Sequence, residues 1–294
     1  MSAFRLQKPV TKQRGFSLVE VMITLTLGTL ISAAIIQIIV SNQVTEGLNR
    51  AIASAQESGR YIMVRLREDL LTAGRYDRLD PDLITTVDVV EEASFVQNRP
   101  VVLAGDFTNR ANLGSTQGTN GASDVLVIAK QDDRDCRGYK LGYATNTEFF
   151  VVNEYFVEDN VLKCRGFDGR VLRGQQIAIG SNNNAAFTLL DDVLSFQVLY
   201  GVSAPSGVGG VTGQPVTYVT ADQLVGQRSN GANVVAIRVA VLLEGQGDVI
   251  VDPAPTFKVL NESAHTPTGT GLYKMFETTV TLRNVKNFVR NRRV

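Results

Sequence analysis

Glu20 carries the chemistry that most needs a partner. It stands at the fifth position after Gly15, near the start of an otherwise uncharged apolar run that continues to Val40. A carboxylate inside a bilayer-spanning helix costs about 2.5–3.5 kcal/mol or more and marks a functional site by default. It calls for a cation, and no basic residue occurs between Phe16 and Arg50. The partner must come from outside its own helix.

The other reactive groups are few. Cys136 and Cys164 are the only cysteines, and His265 is the only histidine. His265 falls in the loop Glu262–Pro267, with no nucleophile elbow or ligand pattern around it. Asp132, Asp133 and Asp135 crowd before Cys136, and Gly138 follows, as in a calcium loop. The pattern then fails, because Arg137 replaces a ligand and Ala144 stands where a closing Glu is required. A solvated acidic turn offset by Arg134 and Arg137 is the expectation. Zinc needs more ligands than lie nearby, and no Gly-rich phosphate loop follows a strand. The sequence therefore predicts no enzyme, no cofactor and no metal.

These groups must be positioned by a long helix and a strand-rich remainder. Arg5, Lys8, Lys12 and Arg14 precede the apolar run, which predicts a cytoplasmic N-terminus and a chain that lies outside from about Ser41. About 20 apolar residues span a bilayer. The helical pattern then continues as a stripe through Val44, Leu48, Ile52, Ile62, Leu66 and Leu70, widened by Ala51, Ala55, Met63 and Leu71. Gly74 is its expected stop. A helix from Phe16 to Ala73 would be roughly 87 Å long. Gly28 weakens its apolar half by about 1 kcal/mol relative to Ala, either for close helix packing or as a point that bends.

The segment Lys12-Gln13-Arg14-Gly15-Phe16-Ser17-Leu18-Val19-Glu20 with its apolar helix resembles the processing site of type IV pilins and type II secretion pseudopilins. The matching residues are Lys12 and Arg14 in the leader, then Gly15, Phe16 and Glu20. A secretory signal with a cut near Ser32-Ala33-Ala34 explains neither Glu20 nor the apolar run beyond it. A plain anchor explains neither Gly15-Phe16 nor Glu20. The resemblance implies that a membrane prepilin peptidase cleaves between Gly15 and Phe16 and that Phe16 is N-methylated. The new amine of Phe16 on one subunit could then pair with Glu20 of another. Loss of residues 1–15 would leave 25 basic against 29 acidic residues, because the leader holds four basic residues and no acid. That balance, and the lack of a basic-aromatic stripe, argue against nucleic acid as a partner.

After Pro81 the pattern turns to strands. Asp124–Ala129, Glu148–Val152, Tyr155–Val157, Val161–Cys164, Arg170–Leu172, Gln176–Ile179, Val193–Tyr200, Val234–Leu243 and Lys274–Leu282 are expected strands. Glu158-Asp159-Asn160 reads as a hairpin turn. Ser203–Gly213 and Asp252–Gly271 read as loops. Val235–Val241 alternates as on a half-covered strand. The fold class is α+β, a long N-terminal helix packed on a mostly antiparallel β-rich domain. The plan is 1–15 leader, 16–73 helix with 16–40 in the membrane, and 74–294 globular domain. With that domain outside the cytoplasm, Cys136 and Cys164 are expected to form a disulfide.

Within the type IV pilins, later segments resemble minor pilins of the PilW family. They are Arg60-Tyr61, Leu66-Arg67-Glu68-Asp69-Leu70, Ala73-Gly74, Ser123-Asp124-Val125-Leu126, Val198–Val202, Val235–Val239 and Phe276–Asn284. Gly59 departs from that pattern, which favours a larger residue before the Arg. The resemblance implies a structural subunit that helps initiate or decorate a pilus. Its partners would be the prepilin peptidase, other minor pilins, the major pilin, an inner-membrane assembly platform and, before assembly, membrane lipid. A J-type minor pseudopilin and a pilus-tip module for adhesion or DNA uptake are the alternatives. The basic end Arg283, Lys286, Arg290, Arg292 and Arg293 reads as a solvated terminus.

Overall fold

The computed structural model describes residues 15–119, 121–180, 185–205, 213–247 and 249–285. The leader cations Arg5, Lys8, Lys12 and Arg14, the terminal Lys286, Arg290, Arg292 and Arg293, and most of the loop Ser203–Gly213 lie outside the described residues. Helix α1 runs over Leu18–Thr72. No proline interrupts it, and it begins where the Ser17 carbonyl accepts the Val21 N–H. It ends because Gly74 turns left-handed, with φ +73°, the conformation that glycine supplies at a helix C-terminus. The Gly74 N–H then bonds the carbonyl of Ala129 at 2.8 Å, which fastens the helix end to the first strand.

The chain forms two compact units, one ending at Asn49 and the other starting at Arg50. In the first, α1 is exposed from Leu18 to Glu46 and, after Glu20, uncharged and mostly apolar on every side as far as Val40. In the second, α1 buries Ala51, Ala55, Gly59, Ile62, Leu66, Asp69 and Leu70, one face at helical spacing. The stripe expected from sequence holds at Ile62, Leu66 and Leu70. Farther back, the fully buried line passes through Ala51 and Ala55, with Leu48 and Ile52 only half-buried. The close approach of Gly245 to the Ala51 backbone explains this, because only small groups fit there.

The remaining elements are helix α2 (Val89–Asn98), strands β1 (Leu126–Asp132), β2 (Phe149–Glu158) and β3 (Val161–Asp168), helix α3 (Gly169–Leu172), strands β4 (Phe187–Leu190), β5 (Val193–Val202) and β6 (Thr217–Val219), helix α4 (Ala221–Ser229), and strands β7 (Val234–Glu244) and β8 (Tyr273–Thr281). They make two four-stranded antiparallel sheets, ordered β1-β2-β3-β4 and β6-β5-β7-β8. The main core joins Ile62, Leu66 and Leu70 to both sheets through residues such as Leu126, Tyr155, Phe196 and Ile237. The other face of the first sheet is covered by Phe95 and Val96 of α2 with Phe107 and Leu113.

The α+β reading therefore stands, with local revisions. The two expected strands Glu148–Val152 and Tyr155–Val157 are one, β2. The hairpin after it turns through Asp159 and Asn160, at φ +55° and +58°, as a two-residue primed turn requires. Arg170–Leu172 is not a strand but the short α3, because the Asp168 carboxylate accepts the Arg170 N–H and caps a helical turn. Gln176–Ile179 forms no strand. Strand β7 is buried on both faces rather than half-covered, since the loop residues Phe257, Val259 and Leu260 pack with Ala240 and Leu242.

Candidate assembly site

The first turn of α1 holds Glu20, two residues into the helix. Gly15, Phe16 and Ser17 precede the helix outside any regular element, and Phe16 is 82% exposed. The polar neighbours of Glu20 are satisfied locally. Thr24, Thr26 and Thr29 donate their hydroxyls to the carbonyls of Val21, Ile23 and Thr26 at 2.9–3.0 Å. These bonds stay within the helix and leave no demand on an outside group. Glu20 differs, because its carboxylate has no hydrogen bond or ion pair among the described residues. The helix is long and apolar enough to cross a membrane.

In the unit from Arg50 onward, the sequence-selected residues resolve into clamps. Asp69, buried on α1, accepts the Lys130 ammonium at 2.9 Å and the Tyr155 hydroxyl. Lys130 also meets Asp132 at 2.7 Å. Burial disfavours the charged Lys130, but the two carboxylates outweigh it and hold its pKa above the ordinary value. Burial and the Asp69 charge push Tyr155 well up. The helix is thus joined to β1 and β2 by groups that have no cheaper partner in the core.

Asp124 performs a similar join between the sheets. Its carboxylate accepts the N–H groups of Gly118 at 2.7 Å and Val198 at 2.7 Å. The adjacent Ser123 hydroxyl accepts the Phe196 N–H. Burial pushes the Asp124 carboxyl up to about 6, against the two backbone donors that favour its ionised form. Gly59 is explained by Phe276 of β8, because a Cβ there would overlap the phenyl ring. Asn284 donates to the carbonyls of Leu71 and Ala73 and so caps the end of α1. Arg60 and Tyr61 do otherwise. They are exposed, and they line a groove of about 960 Å³ with Glu57, Val64, Phe187 and Leu189.

Cys136 and Cys164 form a disulfide, with their Cα atoms 6.4 Å apart. It ties the turn after β1 to β3, and both cysteines are buried. The Cys136 N–H bonds Asn153 Oδ1 at 3.0 Å, and its carbonyl accepts Arg65 of α1 at 2.9 Å. The neighbouring acids are not a solvated row. Asp132 pairs with Lys130, Asp133 with Arg134, and buried Asp135 with Arg137 at 2.6 Å. Asp135 also accepts the N–H groups of Arg137 and Tyr139. His265 makes a bridge with Phe257 through backbone bonds of 2.8 Å and is exposed.

Sequence reasoning missed the Glu92–Arg170 pair. Both side chains are fully buried, with Arg170 Nε 2.8 Å from Glu92 Oε2 and the Tyr76 hydroxyl 2.6 Å from Glu92 Oε1. Nothing at a separation of 78 residues could announce that contact, although the Asp88 cap that starts α2 was available to find the helix.

Two family models match the chain. Residues 10–36 match the prokaryotic N-terminal methylation motif, and residues 150–284 match type IV pilus-assembly protein W. Arg60-Tyr61, Asp69 and Ser123-Asp124 lie outside both matches. Among solved structures, a type IV-like pilin from Thermus thermophilus is 13% identical over 58% of this chain and 83% of its own, with a TM-score of 0.31. A chain of the GspK-GspI-GspJ complex of the type 2 secretion system of enterotoxigenic Escherichia coli is 12% identical over 64% and 92%, with a TM-score of 0.24. No curated protein matches. The methylation motif at the head of a helix long and apolar enough to cross a membrane is the arrangement of a membrane-anchored type IV pilin, and it supports that class for this chain. The second match, over residues 150–284, supports a PilW-like type IV minor pilin with a structural role in pilus assembly.

Proposed function

We propose that this minor pilin enters assembly through a pairing between subunits at Glu20. The observation that carries the reading is a first-turn carboxylate with no partner among the described residues, on a helix whose other polar side chains near it bond internally. Before processing, residues 1–15 hold the N-terminus on the cytoplasmic side of the inner membrane, with lipid around residues 16–40. The region from residue 74 onward forms the domain outside. The prepilin peptidase cuts between Gly15 and Phe16, and Phe16 is N-methylated. The amine of Phe16 on one subunit then meets Glu20 of another, among other minor pilins, the major pilin and the assembly platform. Such a buried pair sets register more securely than it adds stability. The subunit goes on into the extracellular pilus.

N-terminal sequencing and intact mass test the cut, and a start at Ala34 would refute it. Glu20→Leu tests the pairing. The variant should insert in membranes slightly more readily, since its charge penalty is gone, and should keep its disulfide. Its recovery with other pilins from membranes should fall sharply. Recovery equal to wild type would remove any pairing role from Glu20.

A further inference from the structure

We infer that the outer edge of β8 is a docking site for an extended strand of another pilin subunit, which would add a fifth strand to the second sheet. The inference deepens the assembly role and stands on a feature separate from Glu20. A sheet edge is a row of unpaired N–H and C=O groups, and proteins normally blunt it by covering it, shortening it or breaking it with bulges, proline or charge. Three of the four edges here follow that rule. The outer side of β1 is covered, because Val102 donates to Val127 and Ala129 to Pro100, with a bridge between Val101 and Ile128. Strand β4 has four residues and β6 only three.

Strand β8 is not shortened, bulged or broken by proline, and its charges are limited to Lys274 and Glu277. It is nine residues long, contains no proline, and pairs with β7 in unbroken register from Thr281 to Tyr273. No described residue bonds to its outer edge. Of its charges, Glu277 is already engaged by Arg238 of β7. Among the described residues Lys274 meets only the ring of Phe276, at 5.6 Å from its centroid, and has no carboxylate partner. Such an edge is satisfied by one kind of partner, an extended backbone with matching two-residue spacing. Charge narrows it further. The docked strand should place an Asp or Glu across from Lys274, with β-branched or apolar residues across from Phe276 and Thr278 on the same face.

Hydrogen exchange on the full-length chain in detergent micelles tests the site, with purified companion pilins of the same pilus as the probe. A parallel pull-down reports whether binding occurs. In the free chain, the outward amides of Tyr273–Thr281, roughly half of the strand by the alternation of a ladder, should exchange quickly. On binding they should slow by on the order of tenfold or more. Met275→Lys with Thr279→Lys places charge on the exposed face of the edge and should reduce recovery of companions while leaving the disulfide and the unfolding midpoint unchanged. Binding without slower exchange in β8, or undiminished binding by the doubly substituted chain, overturns the strand-addition site and leaves the assembly role intact. Slowing that grows with the concentration of this chain alone identifies a second copy as the occupant and overturns the partner proposed here. Failure of all companions to bind wild type refutes the assembly reading itself.

Discussion

Residues 18–46 and 51–72 belong to one helix, α1, but obey different physics. The first stretch is exposed throughout and mostly apolar on every side as far as Val40. The second is apolar on one face only, and that face is buried under two sheets. The first is rich in β-branched residues and the second in Ala, Leu, Arg and Glu, yet both are helical, so local backbone preference does not set their roles. What differs is where the apolar groups find cover. The second stretch obtains it inside its own fold, at residues such as Ile62 and Leu66. The first obtains none within the described residues and suits a surrounding made of lipid or other helices.

The largest expected effect is a test of that contrast. Leu66→Ala should cost the unit from Arg50 onward about 2–5 kcal/mol, read from denaturant unfolding of the full chain in detergent. Leu30→Ala should leave the same transition in place. Equal losses from both would erase the distinction between the two stretches.

Removal of the disulfide sharpens it from the other side. Cys136→Ser with Cys164→Ser releases a loop of separation 28 and should cost about 3–4 kcal/mol in the chain-entropy model. The Arg65 contact to the Cys136 carbonyl should loosen with it, and exchange at Arg65 and its neighbours should quicken. The segment before Asn49 should be unaffected. An unchanged unfolding midpoint would mean that the covalent link adds nothing to the core packing of the second stretch.

The smallest effect is a pH dependence at Asp124. Its folded carboxyl titrates at about 6, above its ordinary value of 3.8, because it is buried. Between those values the native state keeps a proton that the unfolded chain has lost. Its contribution to stability is therefore greatest below about pH 4 and declines as pH rises towards 6. Asp124→Asn should flatten this part of the stability profile. A profile of the same shape in the variant would place the titration elsewhere.

The long helix, its stop at Gly74 and the strands β5, β7 and β8 were legible because period and β-branched runs depend on local sequence alone. The pairing of Cys136 with Cys164 was legible from compartment and count. Helices α2 and α4 were passed over although caps preceded both, Asp88 for one and the Thr220–Gln223 box for the other. Arg170–Leu172 was misread because three apolar-flanked residues look alike in a strand and in a capped turn. Gly59 looked like a departure from pattern, and only the ring of Phe276 gives its reason. The roles of Asp69 and Asp124 rest on contacts across 61 and 74 residues, which no window of sequence contains.

The cap that Asn284 places on Leu71 and Ala73 has a consequence for the order in which the molecule is made. The two partners are separated by 213 and 211 residues, and the β8 ring that fills the space over Gly59 arrives almost as late. A chain is synthesised from its N-terminus at about 5–20 residues per second. Ile62, Leu66 and Leu70 therefore emerge early and wait many seconds for the strands that will cover them. Contacts of such long range also slow folding once the whole chain is present. During that interval the stripe is a sticky surface, and a truncated product lacking the last strand would lose the share of its cover that Phe276, Val280 and Leu282 supply. The C-terminal residues thus finish the burial: only a chain read to its end conceals its own helix in full.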